Sequence, residues 1–170
     1  QMANTIVYVQ QHGYDSYEDL KKARDELSVK MSDARNTAKS TDADLKLLNE
    51  RIHYLGQYLS TKAAYKAFLQ AGNKKMYRSA HQDEIARYEE AIQFLKRNST
   101  DGTIPTMKNL RAEKEKLLSA QTAQYKSYTY FKDYYHELQT ACRNVDIILE
   151  MEHTQQHSRT QPKRSHKPSL

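Results

Sequence analysis

Five tyrosines crowd one short stretch: Tyr125, Tyr128, Tyr130, Tyr134 and Tyr135. A tyrosine hydroxyl can act as the nucleophile in DNA strand transfer. No histidine triad lies nearby in sequence to serve such a reaction. Tyr128, Phe131 and Tyr135 fall instead on a regular apolar seam, which favours ring packing over catalysis. His153 and His157 stand four residues apart, the spacing of two metal ligands on one helix face. The run HTQQH lacks the Glu of an H-E-x-x-H site, and no third ligand is evident. Cys142 is the single cysteine and sits on the same seam, where a thiol packs as a small hydrophobe. No Gly-rich phosphate loop, Ser-His-Asp order or paired carboxylates stand out. No catalytic residue, metal or cofactor is therefore expected, and the chain is not read as an enzyme.

Basic residues offer the other chemistry. The candidate nucleic-acid contacts are Lys74, Lys75, Arg78, Lys96, Arg97, Lys108 and Arg111. Lys74-Lys75 with Arg78, and Lys96-Arg97, flank two turns that can bring them together. Each phosphate they neutralise would make binding salt-dependent. Tyr77 lies among them as a ring that can stack on an unpaired base. The plainer alternative is a solvated, lysine-rich helix surface. The 170 residues carry 27 basic and 21 acidic side chains, net +6. Residues 61–120 hold 12 basic and 7 acidic of these, and residues 153–170 hold 4 and 0. That uneven spread points to a polyanion more than the total does. Arg159, Lys163, Arg164 and Lys167 in the tail add non-specific attraction.

The elements that carry these residues read as helices. Four Gly and three Pro leave few turns, which argues against sandwiches, barrels and βαβ folds. One cysteine suits a reducing compartment, and a cytoplasmic location is expected. No apolar run approaches the roughly 20 residues of a membrane span, so no membrane insertion is expected. The chain opens on Gln1, as a fragment of a longer protein would.

Met2, Ile6 and Val9 share one face of a first helix over about 2–12, closed by Gly13. Ser16 and Asp19 form an acidic capping box that opens a helix over about 16–71. Its seam is Leu20, Arg24, Leu27, Met31, Ala34, Ala38, Thr41, Leu45, Leu48, Ile52, Leu55 and Leu59, spaced alternately four and three. At 1.5 Å per residue that helix would be roughly 80 Å long. A middle helix over about 79–97 starts at a Ser79/Gln82 box, with Ile85, Tyr88, Ile92 and Leu95 as its stripe. Pro105-Thr106 opens the last helix, over about 106–152. Its seam is Leu110, Lys114, Leu117, Gln121, Gln124, Tyr128, Phe131, Tyr135, Leu138, Cys142, Val145 and Leu149. Residues 153–170 are read as a disordered basic tail.

The expected fold is all-α: an elongated antiparallel helical hairpin over 1–152, coiled-coil-like, with a short helical tip and that tail. A register that sets Leu59 opposite Leu110 places Ala34 and Ala38 against Tyr135 and Phe131, matching small residues to large ones.

The stretch QMANTIVYVQQHGYDSYEDL resembles the segment that follows the catalytic domain in relaxases (mobilization nucleases) of Gram-positive conjugative and mobilizable elements. The resemblance rests on Gln1-Met2-Ala3, Thr5, Tyr8, Gly13 and Tyr17 to Leu20. It continues through Tyr65, Ala71-Gly72, Ile104-Pro105-Thr106, Leu110 and Glu113, and spans roughly residues 1–150. It implies the C-terminal helical part of a relaxase, a non-catalytic module that aids mobilization. The histidine cluster of the catalytic part has no counterpart here, so no catalytic residue carries over. The resemblance implies DNA of the origin-of-transfer region as partner, with coupling or accessory transfer proteins. The alternative is a coiled-coil docking or homodimerising module with no direct DNA role.

Overall fold

The computed structural model describes residues 2–99 and 102–160. It is all-α, with five helices and no strand among the described residues: α1 (Met2–Gln11), α2 (Tyr17–Gln70), α3 (Lys74–Ala80), α4 (Gln82–Arg97) and α5 (Met107–Thr160). The chain divides into two compact units.

The first unit comprises Gln1–Arg35 and Lys126–Leu170. Its core is Val9 from α1, Leu20 and Leu27 from α2, and Leu138, Ala141, Cys142 and Val145 from α5. Val9 is buried while Ile6 is exposed, so the buried face of α1 is rotated from the expected stripe. The Met2 side chain lies outside the described residues. The chain leaves α1 through Gly13 at φ 80°. The Tyr14 N–H returns to the Val9 carbonyl at 3.2 Å, and the Gly13 N–H to that of Gln10 at 2.9 Å. These two bonds form a Schellman end, and its left-handed residue requires glycine. Ser16 then caps α2, its Oγ accepting the Asp19 N–H at 3.1 Å.

The second unit is Asn36–Tyr125. Leu48 and Leu55 of α2, Leu95 of α4 and Leu110 of α5 form its core, with Ile52 and Leu117 packed against them. Three helices therefore share this core, where the sequence pattern suggested two. Asp42 accepts hydrogen bonds from Gln121 and Tyr125, each at 2.6 Å. Arg51 meets Glu113 at 3.8 Å. As α2 advances from 42 to 51, its partners on α5 move back from 121 and 125 to 113, so these segments run in opposite directions.

The expected register fails here. It would set Arg51 opposite residue 118, five residues beyond its actual partner. Leu59, expected opposite Leu110, is 52% exposed. Beyond Leu55 the inward positions become Tyr58, Thr61, Tyr65 and Phe68. These positions fall one residue before the heptad, because the inward face here turns to α4, where Tyr88 meets Tyr58 and Tyr65. The Thr61 hydroxyl is buried there but satisfied, donating to the Gln57 carbonyl at 2.7 Å.

Two boundaries also differ. The chain is already helical at Lys74, capped by Asn73 Oδ1, which accepts the Met76 N–H at 3.1 Å. His81 separates this short α3 from α4, so the Ser79/Gln82 box is not a helix start. Nothing on α3 is buried, so no apolar stripe announced it. At the other end, α5 runs to Thr160, taking in residues expected to be disordered. Residues 161–170 of the expected tail lie outside the described residues.

Candidate nucleic-acid interface

In the second unit, α2 and α4 meet through aromatic rings. Tyr54 stacks on Phe94 with centroids 4.1 Å apart. Tyr65 stacks on Tyr88 at 3.9 Å, and Tyr58 approaches the same ring at 5.4 Å. Phe68 contacts Tyr65 at 5.8 Å and Tyr77 at 6.5 Å, and Tyr77 stacks on His81 at 4.3 Å. The ladder runs from 54 to 68 on α2 and from 94 back to 77 on α4 and α3, an antiparallel order. Each aromatic pair adds about 0.5–1.5 kcal/mol beyond its buried area. Sequence reading missed the ladder because its α2 rings sit one position off the heptad seam. The signal was present: Tyr54 with Tyr58, and Tyr65 with Phe68, repeat at helical spacing.

The ladder and core decide where the candidate cations stand. Lys74 and Lys75 occupy the first turn of α3, and Arg78 its last. Arg78 is already engaged. It pairs with Glu89 and lies over the Phe68 ring at 5.2 Å. Its charge is answered within the fold. Lys96 and Arg97 end α4, while Lys108 lies in the first turn of α5, followed by Arg111. Leu95 and Leu110 share one core, which holds the end of α4 and the start of α5 together. Lys96, Arg97, Lys108 and Arg111 flank those leucines and are exposed. No ion pair forms at any of the four among the described residues. The seven candidates thus divide into two groups. From Gln82 to Lys96, α4 spans roughly 20 Å at 1.5 Å per residue, and that length separates them.

Comparison with family models, curated proteins and solved structures gives no match.

The other sequence candidates resolve into packing. Tyr135 and Phe131 pack against the first unit's core. The Tyr134 and Tyr14 hydroxyls lie 3.1 Å apart, and Tyr125 donates to Asp42. Tyr130 is 64% exposed and forms a T-shaped pair with Phe131. Burial pushes the Cys142 thiol up from its ordinary value, in keeping with a packing role. His153 is exposed on α5, and the His157 side chain lies outside the described residues. Among the described residues no three His, Cys, Asp or Glu side chains are grouped to hold a metal. No described helix is long and apolar enough to cross a membrane.

A groove of about 720 Å³ lies over Leu45 in the second unit, between α2 and α5. Lys46, Glu50, Lys114 and Leu118 line it, with Asp42 and Tyr125 closing one end.

Proposed function

We propose that this chain is a non-catalytic helical module of a relaxase that aids mobilization by contacting DNA. The relaxase assignment rests on the resemblance from Gln1 to Leu20 and through the later blocks. The DNA contact is supported by one observation: the exposed cations Lys96, Arg97, Lys108 and Arg111 neighbour, in sequence, Leu95 and Leu110, which share one core. The origin-of-transfer region in the cytoplasm is the DNA such a module would meet. Lys74 and Lys75 contribute at a second point, and Arg78 serves the fold. Pairing of α2 with α5 as one antiparallel hairpin belongs to the same reading. The opposed order of their contacts in the second unit supports it.

Fluorescence anisotropy with labelled DNA across a salt series tests the contact. Each phosphate neutralised contributes about 0.9 to the salt slope on a duplex. Replacing all four cations by Gln should flatten that slope by roughly 3 to 4. A Lys74→Gln, Lys75→Gln variant should keep most of the affinity. An unchanged slope in the four-charge variant rejects the site.

The groove over Leu45 favours a second reading, in which the chain docks a coupling or accessory protein or pairs with its own copy. Sedimentation at several concentrations decides the self-pairing form: a monomer throughout rejects it.

A further inference from the structure

We infer that the Lys96/Arg97/Lys108/Arg111 surface binds duplex nucleic acid in preference to single strands. The inference rests on the proposed DNA contact and specifies its ligand. A single-strand surface combines cations with rings whose faces are free to stack on bases. Here the cations are present and the free rings are not. The ring beside Arg97 is Phe94. Tyr54 is stacked against it at 4.1 Å, and the Arg97 guanidinium lies 5.9 Å from its centroid. Tyr54 in turn forms a T-shaped pair with His53 at 5.5 Å and donates its hydroxyl to Glu90 at 3.3 Å. Farther along, Tyr58, Tyr65 and Tyr88 contact one another, and Phe68, Tyr77 and His81 continue the series. The remaining tyrosine of this unit, Tyr125, is bonded to Asp42 more than three turns of α5 beyond Arg111. Every aromatic ring on α2, α3 and α4 within the unit is thus engaged with another ring. Tyr77, the ring expected to take an unpaired base, is spent on His81.

Cations without stacking rings respond to charge density. A duplex presents one negative charge per about 1.7 Å of axis and each strand alone about half that density, so the same four side chains meet a stronger field and release more counterion on the duplex.

The test uses the full chain and two labelled ligands of equal length, a mixed-sequence duplex and an oligothymidine strand, titrated across a salt series. The four-charge Gln variant serves as the blank, which subtracts any contribution of the tail. The expected result is at least about tenfold tighter duplex binding, with a slope near 3.6 for four contacts. Tyrosine fluorescence gives an independent readout, since the chain has 13 Tyr and no Trp. Stacked bases quench it, and no quenching should accompany binding. Equal or tighter oligothymidine binding, or quenching on binding, overturns the duplex preference while leaving the DNA contact standing. Failure to bind either ligand overturns both.

Discussion

Tyr17, the first residue of α2, donates its hydroxyl to Asp146 of α5 at 2.5 Å, across 129 residues of chain. The same oxygen lies 3.3 Å from the Cys142 carbonyl. Val9, Leu20 and Val145 fill the core of the same unit. On α1, Tyr8 accepts from the Asn144 amide at 2.8 Å. These phenols join apolar packing to specific bonds, which fixes how α1, α2 and α5 meet.

Tyr17→Phe keeps the ring and removes the bond. The loss should be about 1 kcal/mol, below the range for a buried charged acceptor because Asp146 is exposed. Urea denaturation would show it as a lower midpoint with an unchanged slope. An unaltered midpoint would mean that water replaces the bond at no cost.

The phenols also predict alkaline behaviour. Burial, then the bond to Asp146, raises the Tyr17 hydroxyl above the ordinary phenol range. Burial, then the Tyr134 hydroxyl, pushes Tyr14 up to about 12. Unfolded tyrosine ionises near pH 10. A folded pKa above the unfolded one gives stability that is full below about pH 10 and is lost as pH rises beyond it. Urea midpoints should fall between about pH 10 and 12, and fall less in a Tyr14→Phe, Tyr17→Phe double variant. Parallel pH profiles for the two proteins would contradict the assignment.

Asp42 predicts the opposite limb. The hydrogen bonds from Tyr125, first, and from Gln121 hold its carboxyl below the usual carboxylate value. A depressed folded pKa gives stability that is present above about pH 4 and is lost as pH falls. Asp42→Asn should lower the midpoint at neutral pH and lose less than the parent on acidification. Equal acid sensitivity in both proteins would exclude Asp42 as a contributor.

Leu48 and Leu59 separate the actual core from the seam the heptads suggest. Leu48 is 2% exposed and Leu59 is 52% exposed. Leu48→Ala should cost about 2–5 kcal/mol, and Leu59→Ala under about 0.5 kcal/mol. Chemical denaturation of the two variants checks both values. Comparable losses would restore the straight heptad register.

The aromatic ladder makes Tyr88 a shared ring, contacted by both Tyr58 and Tyr65. Tyr88→Leu keeps an apolar side chain but removes two ring pairs. A loss of roughly 1–3 kcal/mol is expected, with a weakened near-ultraviolet dichroism signal. A variant as stable as the parent, with its dichroism intact, would show that the rings pack without a specific geometry.

The fold class was legible because it is local. Alternating four-three spacing, a Ser16 cap and a Gly13 stop act within a few residues, and the helices begin and end close to where those signals stand. All twelve seam positions of α5 are at least half-buried, since one stripe must turn inward whatever its partner is. What local spacing could not carry was the partner. A heptad seam packs nearly as well one turn along, so spacing alone does not fix the offset, and nothing in the seam announced that Leu95 of α4 would join Leu48, Leu55 and Leu110 in one core. The same long-range packing turned Leu59 outward and tied Arg78 to Glu89. It also put Leu95, next to Lys96 and Arg97, in one core with Leu110, which stands between Lys108 and Arg111, while Lys74 and Lys75 open α3, before α4 begins. Charge composition marked a basic region, but charge has no periodicity that names its neighbours. Which cations share a surface depends on the contacts of the apolar residues between them, and those form only when the helices meet.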